Sequence, residues 1–339
     1  MSTSTGGAFA GTEQEPLLKV SGPGSDDEPE TARWGRKSLA TISLTVLTSS
    51  QGLLIAASKA NGVEYGYAVT SANCSVEFVK LFISFVALLG VWHSEGVTED
   101  NTLRSSFGEL AVYPIPAALY LVKNLMQYYI FYWTDAPSYQ ILKNLNIIST
   151  GVLYRVFLQK PLSGVQWSAL VLLGLGCATA QLSVGTESVL ATPAVGLLMA
   201  VVMAILSGAA GVYTELIMKT RPQRNINVQN VYLYAFGVLF NLAAIWLYDY
   251  DAVVGKGYFS GYNVLVAIMI ANHALSGIAV SLVMKFADNI VKVYSTSVAM
   301  ILTTLVSIPL FGFELTLPFV LGTAVVCVAT YLHYQSKLK

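Results

Sequence analysis

Long apolar runs recur along almost the whole chain and are separated by short polar stretches. A helix crosses a bilayer with about 20 predominantly apolar residues. Ten runs reach roughly that length: 38–57, 67–92, 109–132, 136–158, 162–183, 189–217, 229–249, 262–284, 290–312 and 315–335. The pattern therefore predicts an all-α polytopic membrane protein with ten transmembrane helices.

The helix limits differ in how clearly the sequence marks them. The run "VLATPAVGLLMAVVMAILSGAAGVY" contains no charged residue. The third and fourth runs are separated only by "TDAP", where Asp135 and Pro137 predict a helix start. Glycine and alanine are dense in "LGLGCATA" and "SGAAG", which predicts close approach of helix backbones there.

Composition agrees with the membrane assignment. The 339 residues are 55% hydrophobic and 11% charged, with a mean hydropathy of +0.61, whereas soluble domains are about 25% charged. Cys74, Cys177 and Cys327 lie far apart inside apolar runs, which favours buried thiols over a disulfide framework. We expect no metal site and no cofactor.

The first 35 residues form a separate polar segment, which we interpret as a disordered cytosolic tail. It is acidic, and it has no basic region followed by an apolar one, so it does not resemble a signal peptide. Its stretch "EQEPLL" fits an acidic dileucine sorting signal formed by Glu13, Leu17 and Leu18. The partner implied is a clathrin adaptor, although so short a pattern also arises by chance.

The distribution of basic residues predicts the orientation, because cytosolic loops are enriched in lysine and arginine. With the N-terminus in the cytosol, thirteen of the 19 basic residues fall on the cytosolic side and only Lys59 and Lys256 on the other. Both termini are then cytosolic. The transporter domain, 36–336, divides into halves at 36–184 and 189–335. Since each half has five spans, the halves are predicted to be inverted relative to each other.

Four lysines remain inside the predicted spans, where a charge costs a few kcal/mol. Glu77 and Lys80 are three residues apart on one helical face and can neutralise each other, which suits a structural role as well as a functional one. Lys123 and Asn124 lie in the middle of "LYLVKNLMQYY". Lys143 lies early in the helix that Asp135 and Pro137 are predicted to start.

Uncharged polar residues accompany these lysines. Asn144 and Asn146 lie beside Lys143, just after it in the sequence, and Asn230 lies four residues before Tyr234 and so on the same helical face. Lys292 falls in the first turn of its predicted helix, where a cation opposes the helix dipole. Because a lysine is unfavourable in the first turn of a helix, its presence there suggests a role other than stabilising the helix.

Together these side chains suit one kind of ligand. Lysines at membrane depth attract a phosphate or pyrophosphate, asparagines can donate to and accept from a base edge, and tyrosines can stack on a ring. The sequence contains no Walker loop, zinc-spaced Cys/His set, HExxH or Gly-x-Ser-x-Gly motif. Asp249 and Asp251 spell DxD, but a short loop without further acids favours a solvated turn over a sugar-transfer site.

Three stretches carry a family resemblance. "SYQILKNLNIISTGVLYRVFLQKPLSGVQW", "LSGAAGVYTELIMK" and "KFADNIVKVYSTS" resemble, in this order, segments of the nucleotide-sugar transporter family. The likeness is to its branch of CMP-sialic acid and UDP-galactose transporters, and within it to plant-type members. It extends from about residue 40 to 335 and implies a ten-helix drug/metabolite-transporter fold.

The resemblance also implies a substrate site in the middle of the bundle. Carried over by position, that site comprises Asn124, Tyr139, Ser207, Gly208, Asn230, Tyr234 and Lys292. Lys292 is implied to bind phosphate. Where CMP-sialic acid transporters have a second lysine, this chain has Asn146, and we expect Lys143 to supply part of the missing charge. Glu77, Lys80, Lys123 and Lys285 are candidates for structural or gating roles.

The expected function is antiport of a pyrimidine nucleotide sugar against CMP or UMP across the Golgi membrane by alternating access. A trans-Golgi, endosomal or endoplasmic-reticulum membrane is the alternative location. The ligands are then a nucleotide sugar and a nucleoside monophosphate, and no nucleic-acid partner is expected. A membrane-embedded sugar-transferring enzyme and a transport-inactive scaffold of the same fold remain the alternatives. Buried lysines and asparagines are expensive to retain without a function, which counts against the scaffold.

Overall fold

The computed structural model describes residues 30–60, 64–157, 162–182, 190–221, 223–286 and 289–335. Thirteen helices and two short strands form this part of the chain. The helices are α1 (Glu30–Ala57), α2 (Val69–Glu95), α3 (Phe107–Leu110), α4 (Pro114–Ile130), α5 (Ala136–Lys143), α6 (Leu145–Phe157), α7 (Gly164–Ala180), α8 (Ala194–Thr220), α9 (Ile226–Tyr248), α10 (Tyr250–Lys256), α11 (Val264–Phe286), α12 (Asn289–Phe311) and α13 (Leu317–Gln335). The strands β1 (Lys59–Ala60) and β2 (Glu64–Tyr65) pair antiparallel.

Some predicted residues fall outside this description. Glu13, Leu17 and Leu18 precede the first described residue, and the side chains of Lys285 and Lys292 are outside the described part of α11 and α12.

Every predicted span coincides with a helix or a pair of helices. Four helices in the described residues are long and apolar enough to cross a membrane: Val69–Glu95, Ala194–Met218, Ile226–Tyr248 and Val264–Leu282. Shorter apolar helical segments accompany them at Ile42–Ala57, Gly164–Ala180, Val298–Phe311 and Leu317–His333. Large apolar side chains on the outer surface, such as Phe82 and Trp246 (60% and 69% exposed), suit contact with lipid.

The fourth predicted span is interrupted, which its apolar pattern did not predict. Helix α5 ends at Lys143 and α6 begins at Leu145. Between them, the Asn144 side-chain amide donates to the carbonyl oxygens of Gln140 (3.0 Å) and Ile141 (3.3 Å). An asparagine side chain that bonds nearby backbone carbonyls competes with regular helix hydrogen bonding. The break therefore follows from the side-chain chemistry of one residue.

Glycines bring pairs of helices into close contact, as the sequence predicts for "LGLGCATA". A Cβ at Gly322 of α13 would lie 2.6 Å from the carbonyl oxygen of Gly176 in α7. A Cβ at Gly176 would in turn lie 3.0 Å from the backbone nitrogen of Val326. A Cβ would clash at these distances, so glycine permits this backbone approach. Such close packing matters because apolar burial gives helices little reason to associate in lipid.

At one end of the bundle, the Lys59 ammonium lies close to the rings of Tyr65 and Tyr132. The Lys59 ammonium donates to the carbonyl oxygen of Phe131 and lies 4.6 Å from the centre of the Tyr132 ring. The Tyr65 hydroxyl donates to the carbonyl oxygen of Tyr128 at 2.7 Å. The hairpin that follows α1 is thus fastened to the end of α4. Burial of this ammonium group lowers the pKa of Lys59, because desolvation disfavours the charged form.

The opposite end is held by Arg224, in the connection between α8 and α9. Its guanidinium donates to the carbonyl oxygens of Glu99 (2.6 Å) and Arg104 (3.2 Å), in the connection between α2 and α3. The Glu109 carboxylate lies 2.7 Å from the guanidinium of Arg221 and 3.5 Å from that of Arg224. These contacts tie two connections that are distant in sequence.

Candidate functional site

A cavity of about 220 Å³ lies between α1, α2, α4, α5, α6, α8, α9 and α11. This is far more than the ~10–15 Å³ that one water molecule needs. Much of its lining is polar although the surrounding helices are apolar. A polar hollow inside a bundle of apolar helices is the usual setting for a solute-binding site in a membrane protein.

Most of the residues singled out from the sequence line this cavity. Those among the described side chains are Glu77, Lys80, Lys123, Asn124, Lys143, Asn146, Ser207 and Tyr234. Helices α2, α4, α5, α6, α8 and α9 each contribute at least one of them. The structure thus brings together residues separated by up to 157 positions in the sequence.

Three other predicted residues lie outside the main cavity. Tyr139 is buried against Phe131, with ring centres 4.9 Å apart, and lines a smaller side cavity of about 30 Å³. A Cβ at Gly208 would meet the Ser149 hydroxyl at 2.6 Å, so this glycine allows α8 to approach α6. Asn230 is buried, and its Oδ1 atom has no hydrogen-bond partner among the described residues.

Glu77 and Lys80 form a buried ion pair on α2. The Lys80 ammonium lies 2.6 Å from Glu77 Oε1 and 4.4 Å from the centre of the Tyr234 ring. The Tyr234 hydroxyl is 3.0 Å from the hydroxyl of Ser281 on α11. The ammonium is therefore stabilised by a carboxylate and by the face of an aromatic ring, and this cluster joins three helices.

Two glycines make room for this ion pair. A Cβ at Gly237 of α9 would lie 2.7 Å from Glu77 Oε2, and a Cβ at Gly277 of α11 would lie 2.7 Å from Lys80 Cδ. Any larger residue at these positions displaces one of the charged side chains. The ion pair thus lies between the backbones of α9 and α11.

The other cavity lysines are held by amide side chains. The Lys123 ammonium donates to Gln127 Oε1 at 2.8 Å and to Asn124 Oδ1 at 3.3 Å. The Lys143 ammonium lies 3.4 Å from Gln51 Oε1 on α1. These contacts with neutral amide oxygens help to orient both ammonium groups.

The described lining carries more positive than negative charge. Three ammonium groups, on Lys80, Lys123 and Lys143, accompany the carboxylates of Glu77 and Glu215. Three ammonium groups and two carboxylates leave an excess of one positive charge in the described lining. A low-dielectric cavity with such an excess favours an anionic ligand. In the described part of the chain, no group of three or more His, Cys, Asp or Glu side chains is placed to hold a metal ion.

Several cavity residues were missed by the sequence analysis. They are the polar side chains of Gln51, Asn73, Gln127, Gln140, Asn241 and His273. Asn73 donates to Asn241 Oδ1 at 2.7 Å, so it has a buried partner on another helix. The available signal was the presence of amide and imidazole side chains within apolar runs. Their helical faces are evident only once the helices are packed.

The chain matches one family model and is similar to several named proteins. A family model described as "Nucleotide-sugar transporter" matches residues 35–334. The chain is 63% identical over 304 residues to "CMP-sialic acid transporter 2" of Oryza sativa subsp. indica, covering 90% of this chain and 85% of that protein. It is 59% identical over 310 residues to "CMP-sialic acid transporter 4" of Arabidopsis thaliana, with 91% and 88% covered.

More distant likenesses were also found. The chain is 31% identical over 334 residues to "Probable UDP-sugar transporter protein SLC35A4" of Xenopus tropicalis, covering 94% of this chain and 99% of that protein. One crystal structure superposes with a TM-score of 0.58 at 12% identity, covering 90% of this chain and 99% of that one. At that identity the likeness shows a shared fold alone.

We predict that Glu77 and Lys80 act as a unit in stability. Lys80→Met leaves a buried carboxylate without its partner, which costs about 3 kcal/mol or more. We therefore expect a marked drop in the thermal unfolding temperature of the detergent-purified protein. The double variant Glu77→Gln/Lys80→Met removes both charges and should recover most of the loss. Glu64→Gln, at an exposed carboxylate, is the control; additive losses in the double variant would contradict the pairing.

Proposed function

The chain belongs to the nucleotide-sugar transporter family, and on that premise we propose that it exchanges a pyrimidine nucleotide sugar for CMP or UMP across the Golgi membrane. The protein is a transporter and not an enzyme, because its matching relatives are named as transporters. The observation that carries the proposal is the cavity inside the helix bundle, with its many polar side chains and its excess of ammonium groups.

The choice of a pyrimidine nucleotide rests on the relatives. The plant proteins at 59–63% identity are named for CMP-sialic acid, and the relative at 31% identity for a UDP-sugar. Cytidine and uridine monophosphates are the nucleotides that such sugars leave behind, so we propose one of them as the exchange partner. The sugar itself is either sialic acid-like or galactose-like.

We assign roles to the cavity residues by their chemistry. Lys143 and Lys123 attract the phosphate, because their ammonium groups line the cavity and each has a neutral glutamine oxygen among its contacts. Tyr234 and Asn124 contact the nucleoside, one by its ring and the other by its amide. Asn146 and Ser207 line the same cavity and complete the polar surface.

Five further residues are given proposed roles. Lys292 is proposed as a second phosphate-binding cation, and Lys285 as a residue of the gate. Tyr139, in the side cavity next to Lys123 and Lys143, and Asn230 are proposed to adjust around the nucleoside when it binds. We propose that Gly208 acts through the close contact of α8 with α6.

We further propose the complete membrane topology. Ten spans form two inverted halves, 36–184 and 189–335, which follow a cytosolic tail at 1–35. The positively charged loops then face the cytosol together with both termini. Alternating access proceeds by movement of one half relative to the other around the central cavity.

The decisive experiment is counterflow in proteoliposomes. Vesicles preloaded with CMP, UMP or GMP are exposed to labelled CMP-sialic acid or UDP-galactose. We expect uptake from CMP- or UMP-loaded vesicles and none above background from GMP-loaded ones. Empty vesicles are the control, and absence of uptake under all loadings would refute the proposed function.

We predict that Lys143→Ala weakens the binding of CMP and UMP. Losing one charge-assisted hydrogen bond to phosphate corresponds to a loss of affinity of about tenfold or more. The measurement is the dissociation constant from a thermal-shift titration, since a ligand bound to the folded state raises its apparent stability. The matched control is Lys256→Ala, at an exposed lysine of α10. Unchanged affinity in Lys143→Ala would mean that this lysine does not reach the nucleotide.

Location and topology can be tested together. Epitope tags at both ends should be accessible to antibody when only the plasma membrane is permeabilised, and both should colocalise with a Golgi marker. We also propose that Glu13, Leu17 and Leu18 recruit a clathrin adaptor, so Leu17→Ala/Leu18→Ala should shift the protein between the Golgi and later compartments. A protected tag would refute the topology, and an unchanged distribution would refute the sorting signal.

A further inference from the structure

Two buried polar atoms in the cavity lining lack the hydrogen bonds that burial normally requires. His273 on α11 and Gln127 on α4 both line the cavity. Within the described residues, the Nε2 atom of each has no hydrogen-bond partner. An unpaired polar group shielded from water is costly, and a ligand that supplies the missing partner recovers that cost.

The orientation of both groups is fixed by their other atoms. His273 Nδ1 lies 2.9 Å from the carbonyl oxygen of Met269. A carbonyl can only accept, so Nδ1 carries the proton and the neutral ring presents an acceptor at Nε2. Gln127 Oε1 accepts from the Lys123 ammonium at 2.8 Å, which leaves the Nε2 amide protons of Gln127 as donors. One acceptor and one donor are thus preorganised.

The two side chains belong to the same part of the cavity. Lys123 bonds Gln127 directly at 2.8 Å on α4. Tyr128, the chain neighbour of Gln127, stacks on His273 with ring centres 6.3 Å apart and an interplanar angle of 20°. Stacking on one side and the Met269 carbonyl on another hold the imidazole in place.

A hydroxyl group matches this pair. A hydroxyl has one proton to donate to His273 Nε2 and lone pairs that accept from Gln127 Nε2. A carboxylate or phosphate oxygen only accepts, and it would face the lone pair of the imidazole. On the premise of the transport function proposed above, we propose that His273 and Gln127 bind a hydroxyl of the sugar moiety of the nucleotide sugar.

The order of groups along α11 supports the sugar over the nucleoside. Ser281 contacts Tyr234, Gly277 faces Lys80, and His273 comes next along the helix. Ser281 and His273 are eight residues apart, about 12 Å along the axis. With the nucleoside at Tyr234 and the phosphate beside Lys123, which bonds Gln127, the group attached beyond the phosphate reaches Gln127 and His273.

The test compares ligands with and without the sugar. The dissociation constants of CMP, CMP-sialic acid, UMP and UDP-galactose are measured by thermal-shift titration on purified His273→Phe and Gln127→Leu. Phenylalanine keeps a ring against Tyr128 and removes the acceptor. Each variant should bind the nucleotide sugar about tenfold more weakly, while the affinity for the matching monophosphate changes by less than about twofold. His273→Gln, which retains an acceptor oxygen, should restore part of the loss.

The controls separate this inference from the transport function. His93→Phe, at an exposed histidine of α2, should leave all four affinities unchanged. An equal loss for monophosphate and nucleotide sugar, or no loss for either, would overturn the sugar-binding role while the transport function stands. If the unsubstituted protein binds none of the four nucleotides, the transport function itself fails, and the sugar-binding role fails with it.

Discussion

A carboxylate and an ammonium inside a bundle of apolar helices both lose the water that would solvate them, and Glu77 and Lys80 offset this cost for each other. The two groups lie 2.6 Å apart on α2, and Gly237 and Gly277 leave space for their side chains on the adjoining helices. The close approach of α9 and α11 to this ion pair therefore depends on two glycines. Breaking such a pair costs more than never having formed it, which constrains all three helices at once.

The remaining cavity chemistry follows from the same constraint. Because Lys80 is satisfied by Glu77 and by the Tyr234 ring, it adds little net charge. Lys123 and Lys143 each contact a neutral glutamine oxygen and line the same cavity. The three cavity lysines thus differ in the surroundings of their ammonium groups, although all three lie inside the bundle.

Much of the helical architecture was predictable, because a helix that crosses lipid must be apolar over a fixed length. Each predicted span coincides with helical residues, and the family resemblance, including its plant-type character, is confirmed by relatives at 59–63% identity. The break at Asn144 was not predicted, since the pattern of apolar residues does not show that a side chain will bond to nearby backbone carbonyls. Tyr139 and Asn230 lie outside the main cavity, and only helix packing determines which way they face.

His273 and Gln127 show a different limit of sequence reasoning. A single histidine or glutamine in an apolar run fits a satisfied core residue as well as a ligand contact. The distinction depends on which atoms remain unpaired after folding, and that requires Met269 and Lys123 to be placed beside them. Family resemblance does not supply this information either, because His273 and Gln127 lie outside the stretches that resemble the family's motifs.

The contacts that close the two ends of the bundle share a chemical asymmetry. Lys59, Tyr65 and Arg224 each donate from a side chain to a backbone carbonyl. A backbone acceptor is present whatever residue occupies its position. Sequence drift at Phe131, Tyr128 or Glu99 therefore leaves these fastenings chemically possible, whereas replacing a donor removes them. The mutational vulnerability of these three contacts is therefore concentrated in the donor side chains.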